Sequence, residues 1–420
     1  MNDPSRDLLS LDAGQCDCDG ACALAAEAVT DREAWTIAAW TEMQEMPRIL
    51  SAWLHITDSC NLDCAYCYLP HKQIDMPLDV AIASIDAVFR SASSHGYEIV
   101  KLKYAGGEPL LRFSTIVQAH QHATKTADAH HIDLIGLVLS NGTLLTLEMI
   151  RTFLGLDLKL AISLDGLGYY HDHQRHYASG DGSFRQVADS IELALSAGLT
   201  PHISVTVSAR NAQGLPGLVQ WMLDRNLPFS FNFYRENERS VSHPDLRLEE
   251  ERIIQAMLAA YRVIEQNLPN RNLLTSLADR ADLAVPHLRT CGVGHSYLVF
   301  DPLGRVAKCQ MDMTYTVTDF RDPDPLQTVR QDQGGIQCVP VTENAHCSEC
   351  PWKYVCAGGC PLMNYRATGH YDGKSPNCNI YRALFPQLRR LEELRLIKYG
   401  SARAVGLGDE AMEIQRQLAT

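Results

Sequence analysis

The run AWLHITDSCNLDCAYC, residues 52–67, joins an apolar, β-rich segment (52–57) to a loop carrying Cys60, Cys64 and Cys67. Spacings of four and three residues place three thiols on one short stretch of chain. Four thiolates would close a tetrahedral metal site, so three leave a corner open. Zinc is the plainer reading, since His55 and His71 lie close enough in sequence to complete a site, although zinc more often takes paired CxxC units. The other reading is a cubane iron–sulfur cluster on three thiolates, which leaves one iron without a protein ligand. An open coordination position is where a substrate or cofactor binds.

Outward from this loop the pattern is regular. Further β-rich runs occur at 99–105 (IVKLKYA), 134–140 (LIGLVLS), 158–164 (LKLAISL), 202–208 (HISVTVS) and 229–233 (FSFNF). Amphipathic segments fill the gaps at about 77–95, 114–130, 144–154, 184–197 and 214–225. Pro77 suits an early helical position, and Gly96 and Gly198 suit helix stops. Strand alternating with helix implies parallel strands and right-handed crossovers. The class is α/β, either a partial or full β/α barrel or an open doubly wound sheet. In both, the functional loops follow the C-terminal ends of strands. Past about residue 240 the alternation stops. A charged helix over 246–268 leads to a cysteine-rich region, and 381–400 reads as a helix covering it. The expected divisions are an N-terminal extension (1–48), a barrel core (49–240), a helical bridge (241–290), a cysteine-rich domain (291–380) and a C-terminal helix (381–420).

Composition bounds the function. The chain has 420 residues, 46% apolar and 21% charged, with a net charge of -13. It has no Lys/Arg-rich tract, which argues against nucleic acid as a partner. No apolar run approaches the ~18 residues of a membrane span, and the N-terminus is acidic and polar, so a cytoplasmic protein is expected. In that compartment grouped thiols more often bind metal than form disulfides. The 14 cysteines are grouped: none lies between Cys67 and Cys291.

The motif CxxxCx(aromatic)C after a first barrel strand resembles the radical S-adenosylmethionine superfamily. The resemblance implies a partial (β/α)6 TIM-type barrel. It also implies a [4Fe–4S] cluster on Cys60, Cys64 and Cys67 whose free iron chelates the amino and carboxylate groups of S-adenosylmethionine. One electron then cleaves the C5′–S bond, and the resulting 5′-deoxyadenosyl radical abstracts a substrate hydrogen. Later motifs agree in order, each at a strand end: AGGEP (Gly106, Gly107, Glu108), SNGT (Ser140, Asn141), SLDG (Ser163, Asp165) and then Arg175. With Tyr66 and Asn232 these form the cofactor-binding set the resemblance implies. An arginine suits a carboxylate through its planar fork.

The C-terminal cysteines are similar to the SPASM extension of that superfamily, which holds two auxiliary [4Fe–4S] clusters, for three in all. By position, Cys347, Cys350, Cys356 and Cys378 would hold the distal cluster, and Cys291, Cys309 and Cys360 the nearer one. The fourth ligand of the nearer cluster is Cys338 or is absent. The resemblance implies a maturase of ribosomally made precursor peptides, forming thioether or carbon–carbon crosslinks, with a flavodoxin- or ferredoxin-type electron donor. The alternative is a sulfatase maturase making formylglycine. That branch places an aspartate base after the second of these cysteines; here Gln310 follows Cys309, and glutamine is no base. Asp312 is the nearest candidate. About 50 residues precede the barrel, too few for a full leader-binding domain, so leader binding would need a separate leader-binding protein, a reduced element or direct recognition by the barrel. Cys16, Cys18 and Cys22 read as incidental thiols of an acidic tail or, alternatively, as metal ligands or active-site contacts. An iron–sulfur electron carrier is the non-enzymatic alternative; it would leave the strand-end motifs unexplained.

Overall fold

The computed structural model describes residues 49–399 except 280, 284 and 285. Cys16, Cys18 and Cys22 lie outside the described residues. Six parallel strands form in chain order: β1 (Ile49–Thr57), β2 (Ile99–Gly106), β3 (Asp133–Ser140), β4 (Lys159–Ser163), β5 (His202–Val207) and β6 (Phe229–Phe233). Their spatial order is the same as their sequence order, each pairing in parallel with the next. A doubly wound sheet reverses strand order at a switch point, and the run from β1 to β6 has no reversal. It is a partial barrel of the expected type.

Among the described residues one long helix fills each of the five crossovers: α1 (Leu78–Ser94), α2 (Phe113–His130), α3 (Leu147–Gly155), α4 (Phe184–Ser196) and α5 (Leu215–Asp224). Side-chain alternation separates the two faces of the sheet. In β1, Leu50, Ala52, Leu54 and Ile56 are fully buried, as are Val100, Leu102 and Tyr104 in β2. The helices bury their own apolar stripes in the same core; in α1 these include Ile85, Val88 and Phe89. Each such large side chain contributes about 1.5–3 kcal/mol on burial. Residues of the other parity, among them Ser51, Trp53, Lys101 and Lys103, line the concave face.

The sheet continues past β1. β7 (Tyr297–Phe300) pairs in parallel with it, followed by antiparallel β8 (Arg305–Cys309) and β9 (Asp312–Asp319). α6 (Glu250–Gln266) leaves the barrel, and α7 (Pro325–Gln331) and α8 (Pro361–Thr368) belong to the cysteine-rich part. The long α9 (Cys378–Tyr399) packs on α6 despite Pro386 inside it. Among the described residues no helix is long and apolar enough to cross a membrane.

Candidate active site

The cysteine loop is held at its stem. Thr57, the last residue of β1, donates its hydroxyl to Asp75 Oδ1 at 2.6 Å and accepts from the Ser59 amide at 3.0 Å. Cys60, Cys64 and Cys67 are partly buried, and their charges would act on one another. Burial, with smaller help from neighbouring thiols, pushes each thiol up to about 11. Three crowded thiols become thiolates only beside a cation, which is what a metal cluster provides. The Leu62 amide points at Cys60 Sγ (3.4 Å), and His71 Nε2 lies 3.3 Å from Cys67 Sγ. Among the described residues no three His, Cys, Asp or Glu side chains close on one ion. A cubane spreads its thiolates over a wider span than one ion does.

The GGE turn is braced against that stem. The Gly107 amide donates to Thr57 O (2.7 Å) and the Glu108 amide to Ser59 O (2.8 Å). Gly106 has φ +137, and a Cβ on Gly107 would sit 2.1 Å from Ser59 O. The close approach these glycines permit is therefore to the chain's own backbone. Glu108 is fully buried and accepts from Ser140 Oγ (2.8 Å), the Asn141 amide (2.7 Å) and the Leu110 amide (3.0 Å). Its carboxylate ties the end of β2 to the end of β3. Asn141 Nδ2 continues the tie to Asn61 Oδ1 (2.8 Å), inside the cysteine loop.

A second network stands behind Cys64. Tyr66 donates its hydroxyl to Asp165 Oδ2 at 2.6 Å, and Arg175 Nη1 bonds the same hydroxyl. The Thr206 amide satisfies Asp165 Oδ1 at 2.7 Å. Burial raises the Tyr66 and Asp165 pKa values, while the Arg175 guanidinium pulls both back. Arg175 Nε is buried without a hydrogen-bond partner. A buried, unpaired donor beside three thiols fits a ligand carboxylate, so these residues suit both a cluster and S-adenosylmethionine. Ser163 closes β4 opposite Ser204, whose hydroxyl accepts from Asn232 Nδ2 at 3.2 Å.

Below this network the barrel encloses a cavity of about 740 Å³, lined by Asn232 and Ser204 on one side. Cys291, Cys309 and Cys360 line it too. Cys338 packs in the same cluster, its Sγ 3.6 Å from Cys291 O, and its thiol is pushed up chiefly by Cys291. The structure thus gathers Cys338 with the three cysteines expected at the nearer cluster. Cys347, Cys350, Cys356 and Cys378 form a separate group whose charges would interact. Asp312 is not brought to the cavity: it starts β9 and accepts from Thr314 Oγ1 at 2.7 Å. Gln310 lines it instead, accepting from the Tyr297 hydroxyl at 3.1 Å.

Two groups of residues escape a motif-based reading. His171, fully buried, accepts the Asp165 amide on Nδ1 (3.2 Å) and bonds Ser183 Oγ through Nε2 (3.0 Å). Lys101, Lys103 and His202 line the cavity. The period of two in IVKLKYA already puts both lysines on one face.

Residues 54–217 match the radical SAM superfamily model. The subtilosin biosynthesis protein AlbA of Bacillus subtilis is 26% identical, over 78% of this chain and 70% of its own length. Fe-coproporphyrin III synthase of Methanosarcina barkeri is 24% identical, over 77% and 86% respectively. Among solved structures, anSMEcpe with bound AdoMet and a Cp18Cys peptide aligns at TM-score 0.66 and 16% identity, covering 82% of this chain and 99% of that one. Streptococcus suis SuiB bound to precursor peptide SuiA aligns at 0.54 and 14%, covering 89% and 84%. At these identities the structures speak for the fold. The superfamily match and the relationship to AlbA identify residues 54–217 as a radical SAM domain and the chain as a radical S-adenosylmethionine enzyme.

Proposed function

We propose that this enzyme is a maturase that oxidatively crosslinks a ribosomally made precursor peptide, by a thioether or carbon–carbon bond. The observation that carries the reading is the shared cavity: Asn232 of the barrel and Cys291, Cys309 and Cys360 of the C-terminal region line one space of about 740 Å³. A substrate held there lies within the barrel and beside the cysteines assigned to an auxiliary cluster, which suits a reaction that must remove an electron after a hydrogen atom. Bound at Cys60, Cys64 and Cys67, a [4Fe–4S] cluster with S-adenosylmethionine would supply the 5′-deoxyadenosyl radical. The chain's own residues do the positioning. Arg175 Nε offers a donor to the methionine carboxylate, Tyr66 and Asp165 fix that guanidinium, and Glu108 holds the β2 and β3 ends against the cysteine loop. Cys347, Cys350, Cys356 and Cys378 would hold a distal cluster, and Cys338 would complete the nearer one. A flavodoxin- or ferredoxin-type protein would supply the electron, and a separate protein could present the leader.

A similarity to the cysteine-type anaerobic sulfatase-maturating enzyme of Clostridium novyi, 23% identical over 33% of this chain and 38% of its own length, favours a second reading, sulfatase-type formation of formylglycine. Gln310 in the cavity, where that chemistry wants a base, weighs against it. The test is anaerobic reconstitution with iron, sulfide, dithionite and S-adenosylmethionine, offering the peptide encoded by a short neighbouring gene. The expected result is 5′-deoxyadenosine together with a peptide that has lost two hydrogens. Turnover of a sulfatase-derived peptide, with the neighbouring peptide untouched, would reverse the ranking.

A further inference from the structure

The three thiols of the cysteine loop do not receive the same hydrogen bonds. Cys60 Sγ faces the Leu62 amide at 3.4 Å and, more distantly, Asn141 Nδ2 at 3.9 Å. Cys67 Sγ faces the Leu69 amide and also a side chain, His71 Nε2, which stands 3.3 Å away. The imidazole is set there by its surroundings. His71 follows Pro70 with φ +48, in the left-handed region that residues other than glycine seldom take, and its ring reaches back four residues to the sulfur. Arg239 clamps the same stretch: Nη1 bonds Leu69 O, and Nη2 lies 3.3 Å from Asp63 Oδ1. Asp63 Oδ1 is 3.9 Å from His71 Nδ1, too far for a hydrogen bond, so that carboxylate belongs to Arg239. Among the described residues no three His, Cys, Asp or Glu side chains close on one ion, which leaves the contact as a hydrogen bond between two side chains.

We propose that His71 is a positioning residue for the radical-initiating cluster: its Nε2–H donates to the Cys67 thiolate and makes that cluster easier to reduce. This rests on the reading of Cys60, Cys64 and Cys67 as ligands of a [4Fe–4S] cluster. A thiolate that ligates iron offers lone pairs and no proton, so the ring nitrogen facing it carries the hydrogen. An electron arriving from a flavodoxin- or ferredoxin-type donor adds negative charge to the cluster and its sulfurs. A donor aimed at one of those sulfurs therefore stabilises the reduced state more than the oxidised one. The open iron corner is untouched, because the imidazole bonds sulfur and not iron. The competing role is structural, a ring that merely closes the loop; it would change how much cluster is retained and leave the potential where it is.

The test is a redox titration of the anaerobically reconstituted full-length enzyme, followed by electron paramagnetic resonance. The signal that changes when S-adenosylmethionine is added marks the cluster of the cysteine loop and separates it from any other. In His71→Phe the reduced-to-oxidised ratio of that cluster at a fixed potential is expected to fall about tenfold, a midpoint lower by about 59 mV for one electron. His71→Gln, which keeps an N–H at similar reach, is expected to return the ratio to within twofold of the unaltered enzyme. An unmoved midpoint in His71→Phe overturns the proposal, and so does a His71→Gln midpoint that drops as far as the Phe one. The unaltered enzyme decides the matter if a variant loses its cluster. With histidine labelled by nitrogen-15 and before S-adenosylmethionine is added, a weak histidine nitrogen coupling to that cluster is expected. No coupling, or the strong coupling of a nitrogen bound to iron, overturns the proposal. Absence of any signal that responds to S-adenosylmethionine sinks the cluster reading itself, whereas its presence with an unmoved midpoint sinks only the role of His71.

Discussion

At the residue scale, His171 shows how a side chain outside every motif sets the geometry of two that belong to motifs. Its Nδ1 accepts the Asp165 amide, and Ser183 Oγ, bonded to its Nε2, donates to the Arg175 carbonyl at 2.8 Å. A neutral imidazole therefore links the SLDG turn to the segment bearing Arg175. Burial first, and the Arg175 charge second, hold its pKa well below the usual 6.5. A second ring proton would face the Asp165 N–H, which is itself a donor. The unfolded chain takes up that proton near pH 6.5 and the folded chain does not. The stability from this group is thus complete above 6.5 and is lost as pH falls below it, by up to about 1.4 kcal/mol per pH unit. Comparing urea unfolding of the native protein with His171→Gln at pH 5.0, 6.0 and 7.5 should show a shallower pH slope in the variant. Parallel slopes would remove His171 as the titrating link. HDHQR (171–175) carries two histidines and nothing in it marks His171 rather than His173 as the buried one, so only the packing reveals this role.

At the element scale, the strand ends are what the sequence displays best. Gly106 and Gly107 were legible as members of the cofactor-binding set, but their backbone contact was not, because Thr57 ends another strand and Ser59 lies in the loop after it. A methyl on Gly107 has no room: the atom it meets is a backbone oxygen, which cannot rotate aside as a side chain would. Gly107→Ala should lever the β2 end off the stem of the cysteine loop, cost several kcal/mol and lower the iron retained by the anaerobically purified protein. Gly155→Ala is the control, since nothing lies within 4 Å of its Cβ position and it ends α3 with ordinary φ. It should change stability by no more than about 1 kcal/mol, in the stabilising direction. Equal iron content in both variants would contradict the bracing role. The same limit explains Asp312. The β8–β9 hairpin pairs it with Cys309 across the turn, while Gln310 is the residue of that turn that lines the cavity.

At the scale of the whole molecule, the strand–helix alternation of residues 49–233 was readable because each unit is local: a period of two, then a period near four, then a turn. The continuation of the sheet was not. Tyr297–Phe300 is a run of four residues whose partner, β1, lies far back along the chain, and nothing local announces that pairing. The joint between barrel and C-terminal region is also made by charge. Arg235 follows β6, Asp279 follows α6 and Tyr381 stands in α9; Asp279 is 2% exposed and accepts from both other side chains, from Tyr381 at 3.2 Å. Removing one partner strands the other charge out of water, whereas removing both leaves a site that apolar groups can fill. Asp279→Asn should therefore cost about 3–5 kcal/mol in urea unfolding, and Arg235→Met/Asp279→Leu should recover much of that loss. Additive losses in the double variant would mean that the two side chains stabilise the joint independently. A cost below about 1 kcal/mol for Asp279→Asn would mean that packing of α9 on α6 holds the regions together without the pair.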